Sequence, residues 1–583
     1  MSIALEKLKS RLPVQDLTRL SLVAASPAHV QEWISSLPKV NVGESARQVY
    51  LTVQELNRLQ IDLKPRLGIL ESLRSTVYFL CEALSRHYLN QPVVLPEKAA
   101  KVATLAQALQ NHLAVGYKII CLQMIGQKPD VESQKILTLS AHRAISDMGA
   151  TYLRCCQLYL NPPQFFWLEM HGLFSLVSRS VSTQKIVTDP TNKLMPDTSI
   201  EDAYLRNLLL STCRPYQLRQ SEIAHTYETI ELWTRRVKIR HQGTEDLMYV
   251  FNPEADTAPM YASQSKHIAH GPLQALVLED LVARLQDLLL AHREQPAVKK
   301  GEESLSAELL RHLIHAWGDL SERSFKRSTA QGRLEVCIGM TTTHFYVANM
   351  QAFELTLQHP VANVFADRLQ SLNSKSDPWS GTYNDQSRPG TVLGDIEFQT
   401  SVSKQDLAAK HQKYHAQIVN TSPGGYGLAW TGEIPVNVRN GEIIGVAEPK
   451  EESFSIGVIR WLRQLPGLRA EFGLEILSPR ASACAVKLIR KNGETSEYLR
   501  AILLPELQNI GRPATLIVPN VIFKTGAEIM LNLDGNESKV HLGRVVMSTS
   551  SICQFEFEDP SSSKPGKKKH AGTDDFDSIW SSL

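Results

Sequence analysis

Ala416-Gln-Ile-Val-Asn-Thr-Ser-Pro-Gly-Gly-Tyr-Gly-Leu-Ala-Trp430 holds two short β-type runs, Ala416–Val419 and Tyr426–Trp430, on either side of a turn rich in Asn, Ser, Pro and Gly. Those turn residues supply the fixed or positive φ values that end one strand and start the next. Similar runs lie upstream, at Leu334–Ile338 and Thr343–Val347, and downstream, at Glu442–Ala447, Ser455–Leu462 and Gly473–Leu477. Asn440-Gly441, just before the run at 442, predicts a two-residue hairpin. Several short strands with turn chemistry between them predict a small antiparallel barrel. The stretch 359–412, with Ser371-Leu-Asn-Ser-Lys-Ser-Asp-Pro-Trp-Ser-Gly381, breaks this rhythm and reads as a long, partly flexible insertion.

Toward the C-terminus, β-type runs recur at 482–490, 499–504, 515–519, 527–533, 539–547 and 551–557, spaced like a second small barrel or sandwich. A polar linker with the charge run Lys567-Lys-Lys569 follows, and the end reads as a flexible tail. Phe576, Ile579 and Trp580 stand there at helical spacing among acidic residues, the pattern of a short docking peptide or of a frayed terminus. Toward the N-terminus, apolar residues recur every three or four positions through 63–84, 100–125, 134–160, 199–212 and 272–292. Pro92, Pro96, Pro129, Pro162, Pro163 and Pro190 punctuate them. Helix-on-helix packing follows, as a bundle or an α-solenoid. The fold class is therefore multidomain α + β. A helical domain spans 1–300, a barrel with its insertion 301–480, a second β domain 481–560, and a flexible tail 561–583.

Composition narrows the function. With 62 Lys+Arg against 60 Asp+Glu, the 583-residue chain presents no broad basic field for DNA or membranes, so an anionic ligand must be held by a local arginine cluster. The eight cysteines are scattered and form no CxxC pair, the usage of a reduced, cytoplasmic protein. The N-terminus carries charge from Glu6 and lacks a long apolar core, so no secretory leader is expected, and no apolar run is long enough for a transmembrane helix. Catalytic constellations are missing: no HExxH, no GxxxxGK(S/T), no GxSxG elbow, and no GxGxxG opening a helix. His411 and His415 lack a third ligand at supporting spacing, and Cys155-Cys156 fall in an apolar helical run and read as core thiols. The chain reads as a binding protein rather than an enzyme, with no cofactor and no metal.

Two patterns frame the first strands of the predicted barrel. Arg323-Ser-Phe-Lys-Arg327, an RxxxR, precedes the run at 334, and Asn420-Thr-Ser-Pro-Gly-Gly425, a D/NxSxxG, follows the run at 416. Arg236-Val-Lys-Ile-Arg240 also fits the first pattern but reads as one face of a helix. Asp385-Gln-Ser-Arg-Pro-Gly390 fits the second but has no strand before it. Together with Ser455-Ile-Gly-Val-Ile-Arg-Trp-Leu462 and Phe472-Gly-Leu-Glu-Ile-Leu477, the pair over about 320–480 resembles the PilZ domains, bacterial receptors for cyclic di-GMP. The resemblance implies that Arg323 and Arg327 hold phosphate and guanine, while Asn420, Ser422 and Gly425 form the opposite lip. Lys326 and Arg460 are further candidates for their charge.

The residue types suit that ligand. Arginine forks bond phosphate oxygens or guanine O6 and N7 in pairs, and their flat faces stack on bases. The resemblance also implies a cytoplasmic adaptor whose protein partners belong to pilus or motility machinery, since a large helical half joined to a PilZ barrel is similar to a type IV pilus regulator. The rival reading is a scaffold whose barrel no longer binds ligand. More chain separates Arg327 from Asn420 than a compact PilZ domain uses, so the insertion must loop out of the barrel.

Overall fold

A computed structural model describes the chain except residues 1–5, 7, 39, 126–129, 242–246, 268–270, 295–300, 319–327, 358–409, 432–433, 450, 452, 467–468, 491, 507–510 and 559–583. Arg323, Lys326, Arg327, most of the insertion expected at 359–412, the Asp385–Gly390 pattern and the tail with Phe576, Ile579 and Trp580 lie outside the described residues. The structure has the expected multidomain α + β architecture. It divides into two compact units, one of 1–338, 414–450 and 457–477, the other of 339–413, 451–456 and 478–583.

In the first unit the helices are α1 (Pro27–Ser36), α2 (Val42–Arg58), α3 (Leu63–Ser85), α4 (Glu97–Met124), α5 (Val131–Gln157), α6 (Phe166–Val177), α7 (Ile200–Thr212), α8 (Gln220–Trp233), α9 (Glu279–Glu294) and α10 (Ala307–Gly318). Side-chain caps fix several starts: Asn41 accepts from the Glu44 amide, Asp130 from the Ser133 amide, and Ser199 and Asp202 form a reciprocal capping box. A two-stranded ribbon, β1 (Val187–Thr188) with β2 (Asp197–Thr198), and a small sheet interrupt the helices. The sheet runs β3 (Lys238–Arg240), β6 (Gln274–Val277), β4 (Tyr249–Phe251), β5 (Met260–Tyr261) in spatial order. Two expectations are corrected here: Lys238–Arg240 is a strand rather than a helix face, and the helical run expected from 272 begins only at Glu279. Strands of two to four residues are too short to show a period in sequence.

The helical half has a charged core. Arg74 on α3 donates to Asp147 Oδ1 on α5 at 3.1 and 3.2 Å and to both oxygens of Asp189, beyond β1, at 2.6 and 3.0 Å. Both carboxylates are fully buried. Burial pushes the Asp147 carboxyl up to about 6 against the pull of Arg74 and Tyr78. For Asp189 burial also acts upward, but Arg74 and Arg143 outweigh it and hold the carboxyl below its ordinary range.

The first barrel follows: β7 (Ser328–Thr329), β8 (Arg333–Ile338), β9 (Tyr414–Ser422), β10 (Gly425–Thr431), β11 (Ile443–Ala447), β12 (Ser455–Leu465) and β13 (Arg469–Ser478). The order β10-β13-β12-β11-β8-β9 closes through β9–β10, and β7 adds to the edge of β9. Leu428, Trp430 and Phe472 fill its interior, in one continuous hydrophobic core with the helices. Asn440-Gly441 does not turn a hairpin, because β10 pairs with β9 and β13 and not with β11. Instead the buried Asn440 amide donates to the carbonyls of Tyr216 (3.0 Å) and Leu218 (2.8 Å), while Arg219 donates to the Asn440 carbonyl at 2.8 Å. Asn440→Ala takes this donor from the Tyr216 carbonyl and leaves the Leu218 carbonyl only the Tyr159 hydroxyl, which donates to it at 3.0 Å, so the joint between helices and barrel weakens by about 1–3 kcal/mol. Faster amide exchange at Leu218 and Gly441 is the expected result, and unchanged exchange there would refute it.

The second unit begins where the chain leaves β8. Gly339 takes a φ of +86°, and α11 (Met340–Val347) and α12 (Phe353–Thr356) follow. The strand expected at Thr343–Val347 is thus a helix: its threonines and aromatics suit a strand, but tertiary packing decides. The buried His344 ring sits 3.0 Å from the Cys484 carbonyl. The excursion from the first barrel therefore starts at Gly339, earlier than expected. A closed second barrel runs β14 (Ser482–Leu488), β15 (Leu499–Leu504), β16 (Thr515–Pro519), β19 (Ile552–Glu558), β18 (Asn536–Ser548), β17 (Glu528–Leu533). Its core holds Val486, Ala501, Leu516, Val518, Ile529 and Phe555. All eight cysteines are buried and unbridged. No helix among the described residues is long and apolar enough to cross a membrane.

Candidate functional site

Strand β7, which begins at the residue after the first pattern, pairs with β9, which carries the start of the second. Ser328, the residue after Arg327, pairs with Thr421, and Thr329 pairs with Asn420. On its other side Asn420 pairs with Gly427 and Ser422 with Gly425, closing a hairpin over Pro423-Gly424. In register, Gly427 then faces Gly473 of β13. Thr329, Asn420, Gly427 and Gly473 thus form one row across β7, β9, β10 and β13.

A bulge aims this row outward. The pairing steps from Gly427↔Asn420 to Leu428↔Ile418, so β9 carries Val419 as an extra residue. Without it Asn420 would continue the inward alternation of Ala416 and Ile418. With it, the Asn420 amide lies over Gly427, 2.7 Å from where a Cβ would stand, on the face opposite the buried Leu428. Beside it the Trp461 indole covers Gly473, where a Cβ would meet Nε1 at 1.8 Å. Trp461 and Tyr426 are half-buried, whereas Trp430 is 3% exposed. The outer face therefore presents an amide and a half-buried indole side by side over two glycines, with Thr329 at its margin.

The other candidates take specific places. Ser422 Oγ donates to the Gly425 carbonyl at 3.3 Å, so its proton secures the turn and its lone pairs stay available to accept. Gly425 is required by the protein itself: a Cβ there would lie 2.0 Å from the Leu474 carbonyl oxygen of β13. Arg460 is engaged, its Nε donating to Glu475 at 2.7 Å across the β12–β13 ribbon. His415 lies on β9 and His411 before it, and no group of three or more His, Cys, Asp or Glu among the described residues could hold a metal. Trp461 and the glycine pair were not singled out in sequence. The signal was the alternation Gly425-Tyr-Gly427 set against Phe472-Gly473.

Comparison with known proteins covers nearly the whole chain. The family model described as "Cyclic-di-GMP receptor FimW, N-terminal domain" matches residues 28–243. The model for the middle PilZ domain of FimW matches 248–483, and that for its C-terminal β-barrel domain matches 484–560. A curated protein of Pseudomonas aeruginosa, "Cyclic-di-GMP receptor FimW", is 36% identical over 611 aligned positions, covering 99% of each chain. No solved structure matches.

Proposed function

The chain belongs to the FimW family of cyclic-di-GMP receptors, and from that membership we propose that it binds cyclic di-GMP on the outer face of its PilZ barrel. The observation that carries this is the strand β7, which sets the residue following Arg327 directly opposite Thr421, beside an Asn420 turned outward by a bulge. In this reading Arg323 and Arg327 grip phosphate and guanine through paired, charge-assisted bonds. The Asn420 amide bonds a base edge or a phosphate oxygen, Ser422 accepts or donates at the turn, and the Trp461 indole offers a stacking surface. Lys326 adds charge.

The same segment couples ligand to the rest of the molecule. Residues 319–327 connect the end of α10 at Gly318 to β7 at Ser328, so arginines that order around a ligand restrain the link between the helices and the barrel. The protein acts as a ligand-gated adaptor in the cytoplasm rather than as an enzyme, and its partners are components of type IV pili or other motility machinery. Cyclic di-GMP should slow amide exchange across 319–332, and Asn420→Ala should weaken binding about tenfold, the loss of one polar contact. Exchange that stays unchanged at saturating ligand would refute the coupling, and unaltered affinity would remove Asn420 from the site.

A further inference from the structure

A large cavity lies in the helical half of the first unit, apart from the outer face of the barrel. It has a volume of about 700 Å³ and lies among α4, α5 and the start of α6. Ala103, Ala108, Val115, Met148, Leu158 and Phe166 are among its apolar lining, which is aliphatic with a single phenyl ring among these six and is interleaved with polar side chains. That volume falls within the range of small-molecule sites, and the lining suits a flexible apolar body better than a nucleobase.

Its polar pole is Arg154, only 7% exposed. The guanidinium donates from Nε to the Tyr88 hydroxyl at 3.0 Å and from Nη1 to Gln107 Oε1 at 3.0 Å, both neutral groups. No carboxylate among the described residues pairs with it. The comparably buried Arg74 and Arg143 each hold carboxylates, and Arg66 bonds the carbonyls of Leu56 and Leu59 at the end of α2. Elsewhere on the lining, Arg11 and Lys118 share Glu169 at 3.0 and 2.6 Å. The charged lining is thus three cations against one anion, Arg11, Lys118 and Arg154 against Glu169. A cation held out of water without a counter-charge is costly, and an anion arriving from outside relieves that cost.

We propose that this cavity is a second ligand site, for an aliphatic carboxylate whose head group pairs with Arg154 and whose chain lies along Ala103, Ala108 and Met148. Gln464, on β12 of the barrel, lines the same cavity, and its backbone N–H donates to the Tyr159 carbonyl at 2.8 Å. An occupant would therefore touch both the helices and the strand that carries Trp461.

Decanoate titrated calorimetrically into the full chain tests this, with decyltrimethylammonium as the same chain bearing the opposite charge. Saturable one-to-one uptake of decanoate alone is expected, weakened tenfold or more by Arg154→Gln. Ala108→Trp, which fills the cavity from a half-buried helix position, should abolish it. The indole variant keeps the test decisive should Arg154→Gln fail to fold, which circular dichroism reports. No saturable uptake by the wild type, equal uptake of both amphiphiles, or an affinity unchanged by Ala108→Trp would each overturn the assignment. None of these outcomes bears on cyclic di-GMP binding at the barrel.

Discussion

Arg74→Met will lower the opening free energy of α3 and α5 by about 3–5 kcal/mol, the cost of leaving a buried ion-pair network without its central cation. Arg74 bridges Asp147 and Asp189, beside Tyr78 on the first and Arg143 and Thr191 on the second, and neither carboxylate has access to water. Methionine fills much of the volume, so the loss arises from stranded charge rather than from a void. With Arg74 gone, Asp189 keeps Arg143 at 3.2 Å and the Thr191 donors, but burial pushes the Asp147 carboxyl further upward, and the folded state holds a proton that the unfolded chain releases above the ordinary aspartate range. Stability in the variant therefore falls as pH rises through that range, and the deficit at pH 7 exceeds that at pH 4. A chain of this size does not unfold in one two-state step, so native-state amide exchange in α3 and α5 is the appropriate readout. A change below about 1 kcal/mol at pH 7 would show that the network contributes little to the stability of the helical half.

Cyclic di-GMP affinity will fall about a hundredfold or more when Arg323 and Arg327 are both replaced by alanine. Each charge-assisted bond to phosphate or guanine is worth about 1.5–3 kcal/mol, and two lost together exceed the 2.7 kcal/mol that corresponds to two decades. The variant should keep its fold, because β7 and the outward Asn420 are held by backbone pairing with β9 and β10. Lysine at both positions retains charge without the planar fork, so Arg323→Lys/Arg327→Lys should recover only part of the affinity. Full recovery by lysine would mean that net charge alone recruits the ligand.

Much of this architecture is legible in the sequence for identifiable reasons. The second barrel's strands alternate inward and outward, as in Glu528–Leu533 with Ile529 and Leu531 buried, and period two survives without any knowledge of neighbours. The Asn420–Gly425 turn is legible because proline and glycine punctuate it. What escaped depends on contacts distant in sequence. Thr343–Val347 has strand-like residues but packs as a helix on Cys484. Asn440-Gly441 has hairpin chemistry, yet its side chain serves carbonyls more than two hundred residues earlier. The bulge at Val419, which turns Asn420 outward, is a matter of register, and no residue type announces it. The covering of Gly473 by Trp461 likewise joins two strands whose pairing only the fold reveals.

Calorimetric titration of cyclic di-GMP into the wild-type protein tests the central claim most directly. Saturable binding, abolished or weakened a hundredfold in Arg323→Ala/Arg327→Ala, is the predicted result. A flat titration with folded wild-type protein would contradict it and leave the barrel a scaffold for the helical half.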